Sequence, residues 1–95
     1  MHLYSVALQK FVAYDRQMKT NAANLKKEDP RVLFGRRLAE LRKLQNLSQE
    51  DLAHKSGIAR SYLSGVERGL RNISLLNICR LAETMDLAPA EFLKL

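Results

Sequence analysis

The sequence predicts an all-α fold on three observations. Apolar residues recur at steps of three and four along most of the chain, which is the period of one helix face. Residues suited to helix starts, Asp29-Pro30, Ser48 and Ser74, fall between those stretches. No stretch alternates apolar and polar residues as a half-buried strand does.

The first predicted helix covers residues 3–18, where Leu3, Ala7, Phe11, Tyr14 and Met18 form a stripe. That stripe must cover something, either its own domain or a second subunit. Residues 19–29 are polar and read as a linker. Residues 1–29 therefore form an N-terminal helix and linker, ahead of a helical domain at 30–95.

The domain opens at Asp29-Pro30. Asp caps well, and Pro is favoured at the first helical position because its missing N–H would be unpaired there anyway. Leu33, Phe34, Leu38, Leu41 and Leu44 supply an apolar face, and Asn46 suits the left-handed stop. The next helix starts at Ser48-Gln49-Glu50-Asp51, where Ser48 and Asp51 can cap reciprocally. Gly57 stops it after about two turns. A short helix follows from about Arg60 to Arg68, with Leu63 and Val66 inward, and Gly69 ends it. Its cap position is Ala59, which gives up about 1 kcal/mol relative to Ser or Asp. Ser74 caps a helix whose predicted inner face is Leu75, Ile78, Leu81, Ala82 and Met85. Cys79, on the same helix, reads as a small core residue. A last short turn starts at Pro89.

Composition narrows the function classes. The 95 residues carry a net charge of +6, which favours a polyanionic partner. Residues 31–71 hold nine cations against four anions, and residues 72–95 hold two against three. A bound polyanion is therefore expected on the middle of the chain. No apolar run approaches the roughly 20 residues of a membrane span. Lys10, Asp15 and Arg16 interrupt any signal-peptide core near the N-terminus. The single cysteine cannot form an intrachain disulfide, which fits a reducing compartment. These points predict a cytoplasmic protein that does not contact a membrane. His2 and His54 are isolated, and no His/Cys cluster, Gly-rich phosphate loop or Ser–His–Asp arrangement is present. No catalytic residue, metal site or cofactor is expected.

The informative unit surrounds Gly57. Counting Gln49 as position 1, a small residue, Ala53, stands at position 5 and Gly57 at position 9. Apolar Leu52, Ile58, Leu63 and Val66 stand at positions 4, 10, 15 and 18. The small residue lets two helices cross closely, the glycine permits the turn, and the apolar positions hold the second helix on the first. These are the requirements of a helix-turn-helix.

Three segments carry a resemblance: Gln45-Asn46-Leu47-Ser48-Gln49-Glu50-Asp51-Leu52-Ala53, Ser56-Gly57-Ile58, and Tyr62-Leu63-Ser64-Gly65-Val66-Glu67-Arg68-Gly69. Together they resemble the Cro/lambda-repressor-like helix-turn-helix family of the xenobiotic-response-element type, over about residues 31–93. Tyr62 to Gly69 with Arg71-Asn72-Ile73-Ser74-Leu75 is most similar to restriction–modification controller proteins and related small repressors. The resemblance implies a five-helix domain, a homodimer and double-stranded operator DNA. Ala59 and Ala88 stand where family members often have a capping residue, and the family does not account for residues 1–29. It also implies that Arg42, late in the first helix of the domain, pairs with Glu67 at the end of the third.

Within such a unit the second helix enters the major groove by its N-terminal end. Arg60, Ser61, Ser64 and Gly65 would line the groove side, with Arg60 able to pair bidentately with guanine. Gln49, at a helix N-terminus, is placed for a phosphate. Arg68, Arg71 and Asn72 follow the recognition helix and can clamp the backbone. Arg36, Arg37, Lys43 and Lys55 read as solvated cations. The expected dimer contact is Leu76, Pro89, Phe92, Leu93 and Leu95, away from the basic middle, with the stripe of residues 3–18 as a second layer. The leading expectation is a sequence-specific transcriptional regulator that binds a palindromic operator as a homodimer. Two alternatives share the fold. One is an antitoxin-type regulator that also binds a toxin protein, with the N-terminal helix as the contact. The other is a protein-interaction scaffold. Salt-dependent binding to a specific duplex separates the scaffold from the other two.

Overall fold

A computed structural model describes residues 28–95, so the predicted helix at 3–18 and most of its linker lie outside the described residues. Four α-helices follow: α1 (Pro30–Leu44), α2 (Gln49–Ser56), α3 (Arg60–Glu67) and α4 (Leu75–Met85). The expected fifth helix is a single 3-10 turn, Pro89–Leu93. It is too short for an α-helical ladder, and its start at Ala88 has no side-chain cap.

The helix starts form as their sequences require. The Asp29 carboxylate accepts from the Arg31 backbone N–H at 2.9 Å, and Pro30 follows the cap. Ser48 Oγ accepts from the Asp51 N–H at 2.9 Å, and the Asp51 carboxylate accepts from the Ser48 N–H at 3.0 Å. That backbone donor holds Asp51 below the ordinary carboxylate range. Ser74 caps α4, while Ala59 leaves α3 without a side-chain cap. Asn46 takes φ 57° after α1, and Gly57 takes φ 71° between α2 and α3, the left-handed conformation that glycine adopts without strain.

The core comprises Phe34, Leu38 and Leu41 of α1, Leu52 of α2, Ile58, Leu63 and Val66 at α3, Ile78, Leu81, Ala82 and Met85 of α4, and Phe92. Helix α1 packs on α3, α3 on α2, and α2 on α4, while the 3-10 turn lies against α1 and α4. The α1–α3 crossing is close enough to depend on Gly35. A Cβ there would run into the Val66 carbonyl oxygen and lie 2.7 Å from that of Glu67.

Several sequence expectations fail for one reason: a 3.6-residue period fixes a face, not its width. Leu44 and Leu75, expected inside, are each 71% exposed, because each sits at the outer end of its helix. Cys79 is exposed on α4 and not in the core. The larger correction is Phe92. It was expected at a dimer surface, but it is fully buried within the protomer and stacks on Phe34 with ring centroids 6.3 Å apart. Arg37 explains this. Its Nε donates to the Glu91 carbonyl at 2.7 Å and its guanidinium reaches the Glu91 carboxylate at 3.1 Å, holding the 3-10 turn on α1. Arg37 is thus a largely buried clamp and not a solvated cation. Leu76, Pro89, Leu93 and Leu95 remain exposed.

Replacing Phe92 by Ala is expected to destabilise the protein by about 3–5 kcal/mol, whereas Leu93→Glu leaves the denaturation midpoint of the protomer nearly unchanged. Urea denaturation of both variants checks this, and equal losses would contradict the assignment of Phe92 to the core.

Candidate nucleic-acid interface

Helix α3 divides cleanly around its axis. At 100° per residue, Arg60, Ser61, Ser64 and Arg68 fall within about 100° of arc. Leu63 and Val66 lie on the opposite side and are buried, whereas Arg60, Ser61 and Arg68 are exposed and Ser64 half-buried. The polar face makes no core contact and stands free at the start of the helix.

Gly65 sits at the edge of that face and is covered. A Cβ there would lie 2.9 Å from Cγ of Arg71. The Arg71 stem therefore lies along α3, and its guanidinium stands over the Tyr62 ring, 6.0 Å from the centroid. The expectation that Gly65 lines an open groove side is corrected: its missing side chain makes room for Arg71. Asn72 follows, exposed.

Gln49 is the first residue of α2 and is half-buried. Its side-chain amide donates to the Glu67 carboxylate at 3.2 Å. The same carboxylate accepts two hydrogen bonds from Arg42, each 2.8 Å, in a bidentate pair whose side chains are 10% and 7% exposed. The third arm of Arg42 donates to the Leu47 carbonyl at 2.8 Å. The expected Arg42–Glu67 pair is therefore present, and Gln49 belongs to its network. The hydrogen bonds from Arg42 to Glu67 raise the pKa of the arginine further, so its charge is fixed. No buried side-chain polar atom among the described residues is left without a partner.

The remaining cations sort by location. Arg31, Arg36, Arg37 and Lys94 each meet a carboxylate. Lys43, Lys55, Arg60, Arg68, Arg71 and Arg80 meet none among the described residues. Four of these six lie at the end of α2, on α3 and in the loop after it; Lys43 ends α1 and Arg80 stands on α4. Sequence reasoning missed the Arg71–Tyr62–Gly65 packing. The signal was present, an aromatic and a glycine three apart with an arginine beyond, but nothing in the spacing tells which side chain turns back. Among the described residues no group of His, Cys, Asp and Glu is arranged to hold a metal, and no helix is long and apolar enough to cross a membrane.

The helix-turn-helix family HTH_3 matches residues 38–92. The chain belongs to that family. The control protein C.BamHI of Bacillus amyloliquefaciens is 39% identical over 64 residues, covering 66% of this chain and 79% of that protein. The crystal structure of the restriction–modification controller protein C.AhdI from Aeromonas hydrophila is 56% identical, with a TM-score of 0.65 over 66% of this chain and 96% of that one. The structure of SinR, a master regulator of biofilm formation, in complex with DNA is 34% identical, with a TM-score of 0.62 over 64% of this chain and 98% of that one. This HTH_3 member is a helix-turn-helix transcriptional regulator and not an enzyme. The family match leaves out residues 1–37.

Arg42→Met alone is expected to cost about 3–5 kcal/mol, because it strands the Glu67 charge inside the protein. The double change Arg42→Met with Glu67→Leu should cost less than the single one. Chemical denaturation of both variants measures the difference, and simple additivity would reject the coupling.

Proposed function

We propose that this HTH_3 regulator binds a palindromic DNA operator as a homodimer and reads it with α3. The observation that carries the reading is the polar face of α3, Arg60, Ser61, Ser64 and Arg68, which meets no carboxylate among the described residues, whereas the four arginines of α1 each pair with one. A cationic helix face with no carboxylate partner among the described residues suits an anionic, hydrogen-bonding groove. Relatives support it: SinR has been solved with DNA, and the controller protein C.Esp1396I, 26% identical, as a tetramer with its natural 35 base-pair operator.

In this reading the N-terminal end of α3 enters the major groove. Arg60 pairs with the O6 and N7 of a guanine, and Ser61 and Ser64 offer hydroxyls to base edges or phosphates. Gln49 presents the start of α2 to a phosphate, where free N–H groups and the helix dipole favour negative charge. Its hydrogen bond to Glu67 orients it for that contact. Arg68, Arg71 and Asn72 hold the backbone beyond the helix, with Arg71 braced by Tyr62. Phosphate contacts fix the register, and base contacts choose the sequence.

The homodimer supplies a second reading helix, with the half-site centres about 34–36 Å apart. Its contact lies on exposed Leu76, Pro89, Leu93 and Leu95, far in charge from the cationic face. Phe92 has no part in it.

Two measurements test the proposal. Arg60→Ala is expected to reduce discrimination at one base pair of each half-site by about 1–3 kcal/mol, while Gln49→Ala weakens binding to all duplexes more evenly. Titration against an operator selected from random duplexes, and against its single-base variants, distinguishes the two. An Arg60→Ala loss equal on specific and random DNA would sink the base contact. Separately, Leu76→Glu with Leu93→Glu should sediment as a monomer at micromolar concentration. A persistent dimer would move the interface elsewhere.

A further inference from the structure

Helix α4 has two faces of different character. Ile78, Leu81, Ala82 and Met85 are buried in the core. At 100° per residue, Leu76, Cys79, Arg80 and Glu83 fall within about 100° of arc on the opposite side, and all four are exposed. Leu76, 70% exposed, is part of the dimer contact proposed above. One turn further along the same face stand a cation and an anion, Arg80 and Glu83.

Neither charge is answered within the chain. Arg80 and Glu83 meet no opposite charge among the described residues, and they do not meet each other although three residues apart. A helix pair is weaker when the cation comes first in the chain, as it does here. Glu83 stands in the last turn of α4, which holds no basic residue. There the helix dipole disfavours an anion.

A twofold axis supplies the missing partners. A contact between identical surfaces must be complementary to itself. A helix face with one cation and one anion at different levels meets that condition when two copies run antiparallel. We propose that α4 packs antiparallel against α4 of a second copy, with Arg80 of each chain set against Glu83 of the partner subunit. The inference rests on the homodimer proposed above and specifies its register.

Arg80 and Glu83 are about 4.5 Å apart along the helix axis, so both reciprocal pairs form within one turn. The same register sets Leu76 level with the end of the partner's α4, next to which the turn at Pro89 begins. Apolar contact then flanks the charge pairs on both sides and supplies attraction. The charges choose orientation and register. A parallel pairing would set Arg80 against Arg80. An antiparallel pairing shifted toward the start of α4 would set Leu76 against Glu83. The polar face of α3 takes no part in the contact.

Sedimentation of the full-length chain tests the register. Arg80→Glu and Glu83→Arg each place like charges opposite one another at two points, and each should raise the dimer dissociation constant at least about tenfold. An equimolar mixture of the two variants regains both pairs and should dimerise as the wild type does. So should the double exchange Arg80→Glu with Glu83→Arg. Thermal melting followed by circular dichroism checks that these exposed changes leave the protomer folded. Single reversals that dimerise like the wild type would overturn the register. So would losses that neither the mixture nor the double exchange repairs. An Arg80→Glu variant that loses duplex binding with its dimer intact would give the arginine to DNA instead. A dimer broken by Leu76→Glu with Leu93→Glu, yet indifferent to the charge reversals, rejects this register alone. A wild type that sediments as a monomer rejects the homodimer itself.

Discussion

The structure depends on one buried ion pair. Arg42 and Glu67 are each about nine-tenths buried and joined by two parallel hydrogen bonds. A buried pair gains little net stability over apolar residues of the same volume, because both charges are desolvated. What it supplies is geometry. Arg42 also holds the Leu47 carbonyl, and Glu67 also takes the Gln49 amide. One cluster thus fixes the end of α1, the loop after it, the start of α2 and the end of α3. These are the joints that set how the two helices of the motif sit relative to each other. The fork of an arginine is needed, since a lysine ammonium has no planar pair of donors to match both carboxylate oxygens.

The same chemistry recurs on the opposite side with a different purpose. Arg37 reaches across 54 residues of sequence to the Glu91 carbonyl and carboxylate, and the 3-10 turn delivers Phe92 into the core. Two arginines of one helix therefore staple its two flanks, α3 on one side and the C-terminal turn on the other. Neither contributes to an external electrostatic field. The field comes from the cations that meet no carboxylate among the described residues, and four of these six lie between Lys55 and Arg71. Net charge alone, +6 over the chain, does not show that division.

Much of this was legible in the sequence. The three caps Asp29, Ser48 and Ser74, the glycine turn and the positions of Leu52, Ile58, Leu63 and Val66 follow from local rules, because a helix start or a tight turn is decided within a few residues. The Arg42–Glu67 pair was legible only through resemblance. What the sequence hid were contacts between distant residues. Arg37 and Phe92 are the pair of errors with a single cause: once Arg37 pins Glu91, Phe92 has nowhere to point but inward. Gly65 was expected on the groove side and Arg71 on the DNA backbone, yet the missing side chain at one seats the stem of the other. Leu75 and Cys79 show the limit of helical periodicity, which names a face but leaves its edges to whatever packs there.

The close crossing at Gly35 also bears on how such a protein could acquire a new target. Backbone carbonyls of Val66 and Glu67 lie against α1 with no side chain between them, so α3 can neither slide nor roll to suit a different duplex. Its pose is inherited with the scaffold. The residues on its outer face, by contrast, hold nothing up: Arg60, Ser61 and Arg68 are exposed and absent from the core. If α3 reads the operator as proposed, divergence toward new operators is channelled into exchanging letters on a fixed rail, leaving the scaffold's own stability out of the exchange.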